Sequence, residues 1–506
     1  IKPLLWGITN PEQVNKLIDL AQKKVGEIKG IEDFKLDPTQ YEAVKGILTS
    51  TKPLHVIVGG PGRGKTAIVQ VIMQTLKIAS RLPDELAFCA PVGKAAKVLT
   101  NQIKDFGSAK TIHSLLGARG TNYNFEFNRN NKLSAKLIVA DEQSMSGLNL
   151  AHGLFAATAD NAHMILLGDQ NQLQSIDSGD VLRSILALDG IEKYELKTPH
   201  RNDGQILNLV DRVNRGSWPI KDEDRKKIES TGDVKLYGQQ GILSRHNIEP
   251  FIEKVVQAAK EYGGAENIGV ICPVRKGNIN QPDWNVTYLN EALKERLNPE
   301  SEKSKRVLGT RFRLNDRVII TRNMRHVNIN NVDDKEVLRE VALNAADKDA
   351  LQALGLKPLN VINGDTGYLR EAIYGEVDGT HQAVGFVIDL DDGNKVLLDY
   401  TAREYVGHSY AITVHAAQGS EYEKVFAVVP KGHENFMHRH LLMTSLSRAK
   451  GSLEVYGETG NCSIVASRKA PERFCGIYER AQGFIEEFND RQQDACLERL
   501  AHRVRA

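Results

Sequence analysis

The stretch of this sequence best suited to chemistry is GGPGRGKT at residues 59–66. It follows the apolar run LHVIV and precedes AIVQVIMQTLKIA, which has a helical pattern. A glycine-rich turn between a strand and a helix directs backbone N–H groups and the helix N-terminus at one point, which suits a polyphosphate. We therefore predict an ATP site, with Lys65 on the β and γ phosphates and the Thr66 hydroxyl on Mg²⁺. Its predicted nucleotide-binding residues are Gly59, Gly60, Pro61, Gly62, Arg63, Gly64, Lys65 and Thr66.

Two further apolar runs end in polar residues that suit the same chemistry. LIVADEQS at 137–144 places Asp141 and Glu142 at the end of a strand, where open α/β sheets bind ligands. Asp141 is predicted to hold Mg²⁺ together with Thr66, and Glu142 to polarise the attacking water. The third run, HMILLGDQNQLQSIDSG, adds Gln172, whose amide can hydrogen-bond a phosphate oxygen without adding negative charge.

Together with further segments in a fixed order, these motifs resemble those of superfamily 1 helicases, and most closely those of the RecD-like, 5′-to-3′ branch. That branch also includes the helicase parts of conjugative relaxases. The resemblance covers about residues 35 to 460. The additional segments are CAPVGKAAKVL (89–99), TIHSLLG (111–117), PHRN (199–202), TVHAAQGSEYEKV (413–425) and TSLSRAK (444–450).

The resemblance implies an ATP-hydrolysing DNA helicase that moves 5′ to 3′ on single-stranded DNA and unwinds duplex. It implies that ATP lies between two motor domains, that Gln40 contacts adenine, and that Arg201 and Arg448 reach the γ phosphate. Gln418 and Gly419 would couple the second domain to nucleotide and DNA. The implied DNA-binding residues are Pro91, Val92, Lys94, Thr111, His113, Thr413 and His415.

The sequence departs from the family pattern at two positions. Val92 stands where the family usually has threonine, which removes a hydroxyl contact to the DNA backbone. Gln143 replaces the commoner alanine, a change outside the metal and water roles.

The predicted fold class is α/β, with two RecA-like P-loop motor domains. Strand-like runs alternate with helical patterns, which indicates parallel sheets covered by helices on both faces. The second motor domain contains a small SH3-like β-barrel insertion, and the first a short hairpin insertion. The predicted boundaries are a helical segment 1–32, a first motor domain 33–185, a second motor domain 186–304 and 401–460, the barrel insertion 305–400, and a helical tail 461–506.

The hairpin insertion is predicted at 118–133, where Tyr123, Phe125 and Phe127 alternate with polar residues. It fits either a surface loop with one buried side or a pin that separates strands, and the resemblance favours the pin. The stretch 333–355 fits either a solvated amphipathic helix pair or a contact with a partner or DNA. It and the C-terminal tail are the candidate surfaces for a protein partner.

Composition limits the partners of the chain. The sequence has 66 Lys and Arg against 64 Asp and Glu, a formal net charge of +2, so DNA contact requires a local groove. The five cysteines lack metal spacing, and the longest apolar runs are too short to cross a bilayer. We expect a cytoplasmic protein that does not bind membranes. The first residue is Ile1 and not methionine, which suggests a processed product or a fragment of a longer protein.

Two functional alternatives remain open at this stage. One is a motor within a larger recombination nuclease or conjugative relaxase, with little unwinding alone. The other is an ATP-gated DNA-binding scaffold with low turnover.

Overall fold

The structure is a computed structural model that describes most of the chain. The described residues are 10–118, 124–198, 204–276, 284–309, 311–330, 332, 334–343, 356, 358–377, 379–433, 436–471, 473, 475–477 and 480. The chain divides into two compact units, of which the first comprises Ile1–Asn202 with Pro471–Ala506 and the second Asp203–Ala470.

The first unit is built on a parallel sheet that has six strands in the part described. The strands are β1 (Leu54–Gly59), β2 (Leu86–Ala90), β3 (Ala109–Thr111), β4 (Leu137–Ala140), β5 (His163–Gly168) and β6 (Glu192–Leu196). Their order is β3-β2-β4-β5-β1-β6, and every neighbouring pair is parallel. The predicted parallel sheet is confirmed.

Helices cover both faces of this sheet. They are α1 (Pro11–Lys29), α2 (Pro38–Thr49), α3 (Lys65–Ile78), α4 (Gly93–Gln102), α5 (Ile112–Leu115), α6 (Leu148–Ala157) and α7 (Val181–Ala187), with a 3-10 turn at Gln143–Met145. Ile57 of β1 belongs to the core formed with α1 to α4. Its neighbours Val56 and Val58 point to the opposite face and belong to the core with α5 to α7. Burial on both faces explains the continuous apolar run of β1.

The second unit contains a four-stranded parallel sheet in its described part, of order β7-β19-β18-β8. These strands are β7 (Val234–Tyr237), β8 (Ile268–Ile271), β18 (Tyr422–Val428) and β19 (Ala449–Tyr456). The helices around it are α8 (Gln205–Asn214), α9 (Asp222–Glu229), α10 (Ile248–Glu261), α11 (Val286–Leu297), α13 (Arg439–Leu446) and α14 (Thr459–Ser467), with 3-10 turns at Arg245–Asn247 and Ala265–Asn267.

An antiparallel sheet interrupts the second unit between β8 and β18, as the short strands and Gly/Asn turns predict. Its described strands are β11 (Arg317–Ile320), β12 (Met324–Asn328), β13 (Pro358–Val361), β14 (Thr366–Val377), β15 (Thr380–Leu390), β16 (Lys395–Asp399) and β17 (Val406–His408), in the order β13-β12-β16-β15-β14-β11-β17. The separate strands β9 (Arg306–Val307) and β10 (Phe312–Arg313) pair with each other, and a 3-10 turn spans Tyr400–Tyr405.

Helix α12 (Lys335–Leu343) is the described part of the predicted helical stretch 333–355. Its buried residues Leu338, Val341 and Ala342 form a core with residues of β14, β15 and β16. The helix therefore has one face packed on the insertion sheet. The stretch from 344 to 355 lies outside the described residues.

Three predicted boundaries differ from the structure. Strand β6 pairs with β1, so the first sheet continues past residue 185. Strand β17 pairs with β11, so the insertion sheet continues past residue 400. Helix α14 belongs to the second unit, whereas the chain from Pro471 onward belongs to the first. Within the part of the chain that the structure describes, no helix has the length and apolar character needed to span a membrane.

Candidate nucleotide site

The glycine-rich loop connects the end of β1 to the start of α3, as predicted. Gly62 and Gly64 have φ angles of 70° and 73°, in the left-handed region that favours glycine. Gly64 is the N-cap residue of α3, and no side chain caps this helix. No side chain therefore caps the backbone N–H groups of its first turn, and an anion bound in the loop can accept hydrogen bonds from them.

Charged side chains of the loop make defined contacts. Lys65 Nζ donates to the carbonyl oxygens of Gly59 at 2.6 Å and Gly60 at 3.3 Å, which holds the ammonium group across the loop. Arg63 donates to the carbonyl oxygens of Leu196 at 3.0 Å and Lys197 at 2.7 Å. Arg63 thereby ties the loop to the end of β6.

Gln40 supports the loop from the start of α2. Its Nε2 donates to the Arg63 carbonyl at 3.0 Å, and its Oε1 accepts from Asp37 N at 3.1 Å. The residue is only 3% exposed. Both ends of the amide are thus engaged within the first unit, and contact with adenine stays a prediction for Gln40.

Three carboxylates follow the neighbouring strands β4 and β5. Asp141 Oδ1 accepts from Glu142 N at 2.7 Å, and Glu142 has a φ of 51°, a strained conformation for a residue with a side chain. Among the described residues, Glu142 Oε2 and Asp169 Oδ2 are buried without a hydrogen-bond partner. A buried carboxylate oxygen without a partner is costly, so these two atoms point to a ligand.

The electrostatics of these groups also fit a bound cation. Burial raises the pKa of Asp141 to about 7; the Glu142 carboxylate adds to the rise and Lys65 opposes it. Burial likewise raises the pKa of Asp169, and the Lys65 charge lowers it. Carboxylate and hydroxyl oxygens are the ligands that Mg²⁺ prefers. Thr66 is the second residue of α3, so Thr66, Asp141 and their neighbours supply an oxygen-rich set that fits a Mg²⁺–nucleotide complex.

Asp169 was not among the predicted site residues, whereas Gln172 from the same segment was. Both residues are buried in one turn, where Gln172 N donates to Asp169 O at 3.1 Å. An acid directly after an apolar strand was the signal that could have identified Asp169. The nucleotide-sensing role of Gln172 stays a prediction.

The predicted DNA-binding residues of the first unit follow the adjacent strands β2 and β3. Pro91 and Val92 connect β2 to α4, and Lys94 lies in the first turn of that helix. Thr111 ends β3, and its Oγ1 accepts from Ser114 N at 3.1 Å, which caps α5. The Thr111 hydroxyl therefore has a structural partner. His113 lies within α5, and burial lowers its pKa.

The predicted DNA-binding residues of the second unit lie in the turn that precedes β18. Thr413 Oγ1 accepts from Ala416 N at 3.2 Å, and the ring of His415 lies 6.5 Å from that of Phe436. Gln418 is 7% exposed, and Gly419 has a φ of 73°. The predicted coupling segment is therefore a tight turn.

Arg448 is buried in the second unit, with 5% of its surface exposed. Its guanidinium donates to Thr444 O at 3.1 Å, Ser420 O at 3.2 Å and Ser447 Oγ at 3.0 Å. Because Ser420 directly follows Gly419, Arg448 fixes one end of the coupling turn. Arg201 lies outside the described residues.

The predicted strand-separating aromatics are described only in part. Tyr123 lies outside the described residues, whereas Phe125 and Phe127 are half-buried and pack against the core that contains α5 and α6. A Cβ added at Gly153 would lie 2.5 Å from Phe125 Cε2, so the ring sits directly on α6. Phe125 and Phe127 thus anchor the segment, and contact of the segment with a DNA fork stays a prediction.

The parallel sheet, the glycine-rich loop and the acid-ended strands are typical of a P-loop nucleotide-binding domain. The AAA domain family matches residues 35–238, and the UvrD-like helicase C-terminal domain family matches residues 408–456.

The chain is 27% identical over 439 residues to the ATP-dependent RecD2 DNA helicase of Deinococcus radiodurans, covering 84% of this chain and 50% of the relative. It is 25% identical over 505 residues to the RecBCD enzyme subunit RecD of Buchnera aphidicola, covering 88% of this chain and 76% of the relative. A crystal structure of a Bacteroides Pif1 helicase in complex with ADP-AlF3 and ssDNA matches with 14% identity and a TM-score of 0.46, covering 90% of this chain and 98% of that one. The chain is similar to RecD and RecD2 helicases over most of its length, and it spans half the length of the RecD2 relative.

Proposed function

We propose that this chain is an ATP-dependent DNA helicase that translocates 5′ to 3′ on single-stranded DNA and separates duplex. The observation that carries the proposal is the grouping of Glu142 and Asp169, each with a buried oxygen that lacks a partner among the described residues. The charges of Glu142 and Lys65 both act on the carboxyl groups of Asp141 and Asp169. Such a group can hold and hydrolyse a nucleotide. Similarity to RecD and RecD2 helicases supports DNA translocation as the use of that hydrolysis.

Each residue of the site has a proposed role. Backbone amides of residues 59–66 and the Lys65 ammonium would hold the phosphates. Thr66 and Asp141 would hold Mg²⁺, which when bound would supply positive charge to the phosphates. Glu142 orients and polarises the attacking water, and its strained φ aims the carboxylate. Asp169 would supply a further carboxylate that accepts hydrogen bonds from the ligands of Mg²⁺.

We propose that Arg448 acts on the γ phosphate or on the turn that senses it. Its Nη1 already donates to Ser420 O at 3.2 Å, next to the coupling residues Gln418 and Gly419. Arg201 would supply the second guanidinium. Because a guanidinium remains charged at all working pH values, either arginine can stabilise the transferring phosphoryl group.

We assign DNA contact to the turns that follow β2 and β3 and to the turn before β18, as the family resemblance implies. The near-neutral net charge limits this contact to a local surface. We also propose that the antiparallel insertion sheet corresponds to the SH3-like domain of this family.

DNA-stimulated ATP hydrolysis tests the proposal. We expect Lys65→Ala to abolish turnover, because the phosphate-binding cation is lost, and the exposed Lys104→Ala to retain it. Hydrolysis that persists in Lys65→Ala would contradict the assigned site. Turnover near zero in the wild type with tight DNA binding would instead favour the scaffold.

A second candidate function is a motor subunit of a larger assembly. The similarity to RecBCD subunit RecD over 88% of this chain favours it. ATP hydrolysis stimulated by DNA without strand displacement by the isolated chain is the result this alternative predicts.

A further inference from the structure

The chain that follows the second unit returns to the first unit and binds beside the nucleotide site. Arg473 donates to the carbonyl oxygens of Ser175 and, at 3.1 Å, of Asp177. Cys475 Sγ lies 2.7 Å from Ser184 Oγ, and Ile477 packs against the core that contains α6 and α7. We call Arg473, Cys475 and Ile477 the strap.

The strap holds residues 175–180, which follow Asp169 and Gln172. The approach is close, because a Cβ added at Gly179 would lie 3.1 Å from Cys475 Cβ, and Gly179 has a φ of 94°. A larger residue there would be both strained and crowded. The close approach of Cys475 therefore requires glycine at position 179.

The held segment in turn fixes the chain that carries Glu142. Ser175 N donates to Ser144 O at 3.1 Å, and Leu148 N donates to Ser178 O at 2.9 Å. Ser144 lies in the 3-10 turn that directly follows Glu142. Hydrogen bonds thus run from Arg473 through Ser175 to the turn that maintains the strained φ of Glu142.

We propose that Arg473 is a positioning residue for ATP hydrolysis, which acts through residues 175–180 to hold Glu142 in its active orientation. The inference rests on the proposed role of Glu142. Arg473 follows Ala470, the last residue of the second unit, by three residues. Arg473 is therefore joined to Ala470 by at most about 11 Å of chain. Hydrogen bonds through Ser175 connect it onward to the turn that follows Glu142.

The test measures kcat and KM for ATP, with and without single-stranded DNA, in the full chain. Arg473→Ala is expected to lower kcat about threefold or more with KM unchanged, because Glu142 contributes to the chemical step and not to nucleotide binding. Arg473→Lys should restore part of the loss, since a lysine can donate to one of the two carbonyls. The exposed Arg480→Ala is the matched control and should equal the wild type.

A disulfide supplies the second test. Ser184→Cys places a thiol beside Cys475, and diamide should oxidise the pair in the Arg473→Ala background. The bond should restore kcat, and dithiothreitol should reverse the gain. The chain with Arg473→Ala alone, treated with diamide, is the control for its other thiols.

The outcomes separate the two claims. Equal kcat in Arg473→Ala and wild type, or a disulfide that forms without restoring kcat, would overturn the strap. A raised KM with constant kcat would also overturn it. Failure of DNA to stimulate ATP hydrolysis by the wild type would contradict the proposed helicase. The strap would still be tested by comparing kcat without DNA in wild type and Arg473→Ala.

Discussion

Buried His55 should make the first unit sensitive to acid. The residue lies in β1 with 0% of its surface exposed, and both ring nitrogens lack a hydrogen-bond partner among the described residues. Burial, with a smaller contribution from the neighbouring His163, lowers its pKa from 6.5 to about 4. Its ring stacks on Tyr194 at 6.4 Å. The folded state therefore keeps this histidine neutral.

The sign of the effect follows from proton uptake. Between pH 6.5 and pH 4 the unfolded chain binds a proton at His55 that the folded chain does not, so stability falls as the pH falls through this window. A pKa difference of this size corresponds to a loss of roughly 2 kcal/mol between pH 7.5 and pH 5. Replacement by leucine removes the titrating group and should remove this part of the loss.

Urea denaturation followed by circular dichroism at pH 7.5 and pH 5 measures the effect. The quantity to compare is the change in unfolding free energy between the two pH values, in wild type and in His55→Leu. Subtracting the change in His55→Leu from the change in wild type cancels the contributions of the other titrating groups. The exposed His152→Leu is the control and should retain the wild-type dependence. Identical pH dependence in wild type and His55→Leu would refute the reasoning.

Three further predictions concern the motor. Glu142→Gln should retain ATP binding and lose about 10²-fold or more in kcat, measured by nucleotide binding and steady-state hydrolysis; a near-normal rate would exclude the water-polarising role. Affinity for single-stranded DNA should fall with salt, with a log–log slope of about −0.7 per phosphate and only a handful of phosphates engaged, whereas salt-independent binding would argue against backbone contact. Replacing residues 121–130 by a Gly-Ser turn should abolish strand separation and leave DNA-stimulated hydrolysis largely intact. Because Phe125 and Phe127 pack on the core, a replacement that restores both aromatics is the control for folding. Full unwinding without the segment would show that it is only a surface loop.

Much of the nucleotide site could be predicted because its determinants are local in sequence. The glycine-rich loop, its lysine and the acids after β4 each lie at a strand end that the apolar runs reveal. The contact that Gln40 makes with the loop and the burial of Asp169 could not be predicted in this way. The Arg63 carbonyl is distant in sequence from Gln40, and the burial that marks Asp169 depends on the packing of several strands.

The errors in the boundaries have the same origin. Strand β6 alternates half-buried and exposed residues and only its last residue is buried, so its sequence resembles a surface segment. Only its pairing with β1 reveals that it belongs to the first sheet. Likewise, the alternating aromatics near residue 125 predicted a hairpin, but the contact of Phe125 with Gly153 depends on the position of α6. Tertiary contacts decided each of these cases.

Strand displacement on forked DNA tests the central claim most directly. Duplexes with a single-stranded 5′ tail or a single-stranded 3′ tail are incubated with the chain, ATP and Mg²⁺, with Lys65→Ala as the inactive control. We predict that the wild type displaces the strand from the 5′-tailed duplex, that it leaves the 3′-tailed duplex largely intact, and that Lys65→Ala displaces neither. Preference for the 3′ tail, or displacement by Lys65→Ala, would contradict the assignment of this chain as a 5′-to-3′ ATP-driven helicase.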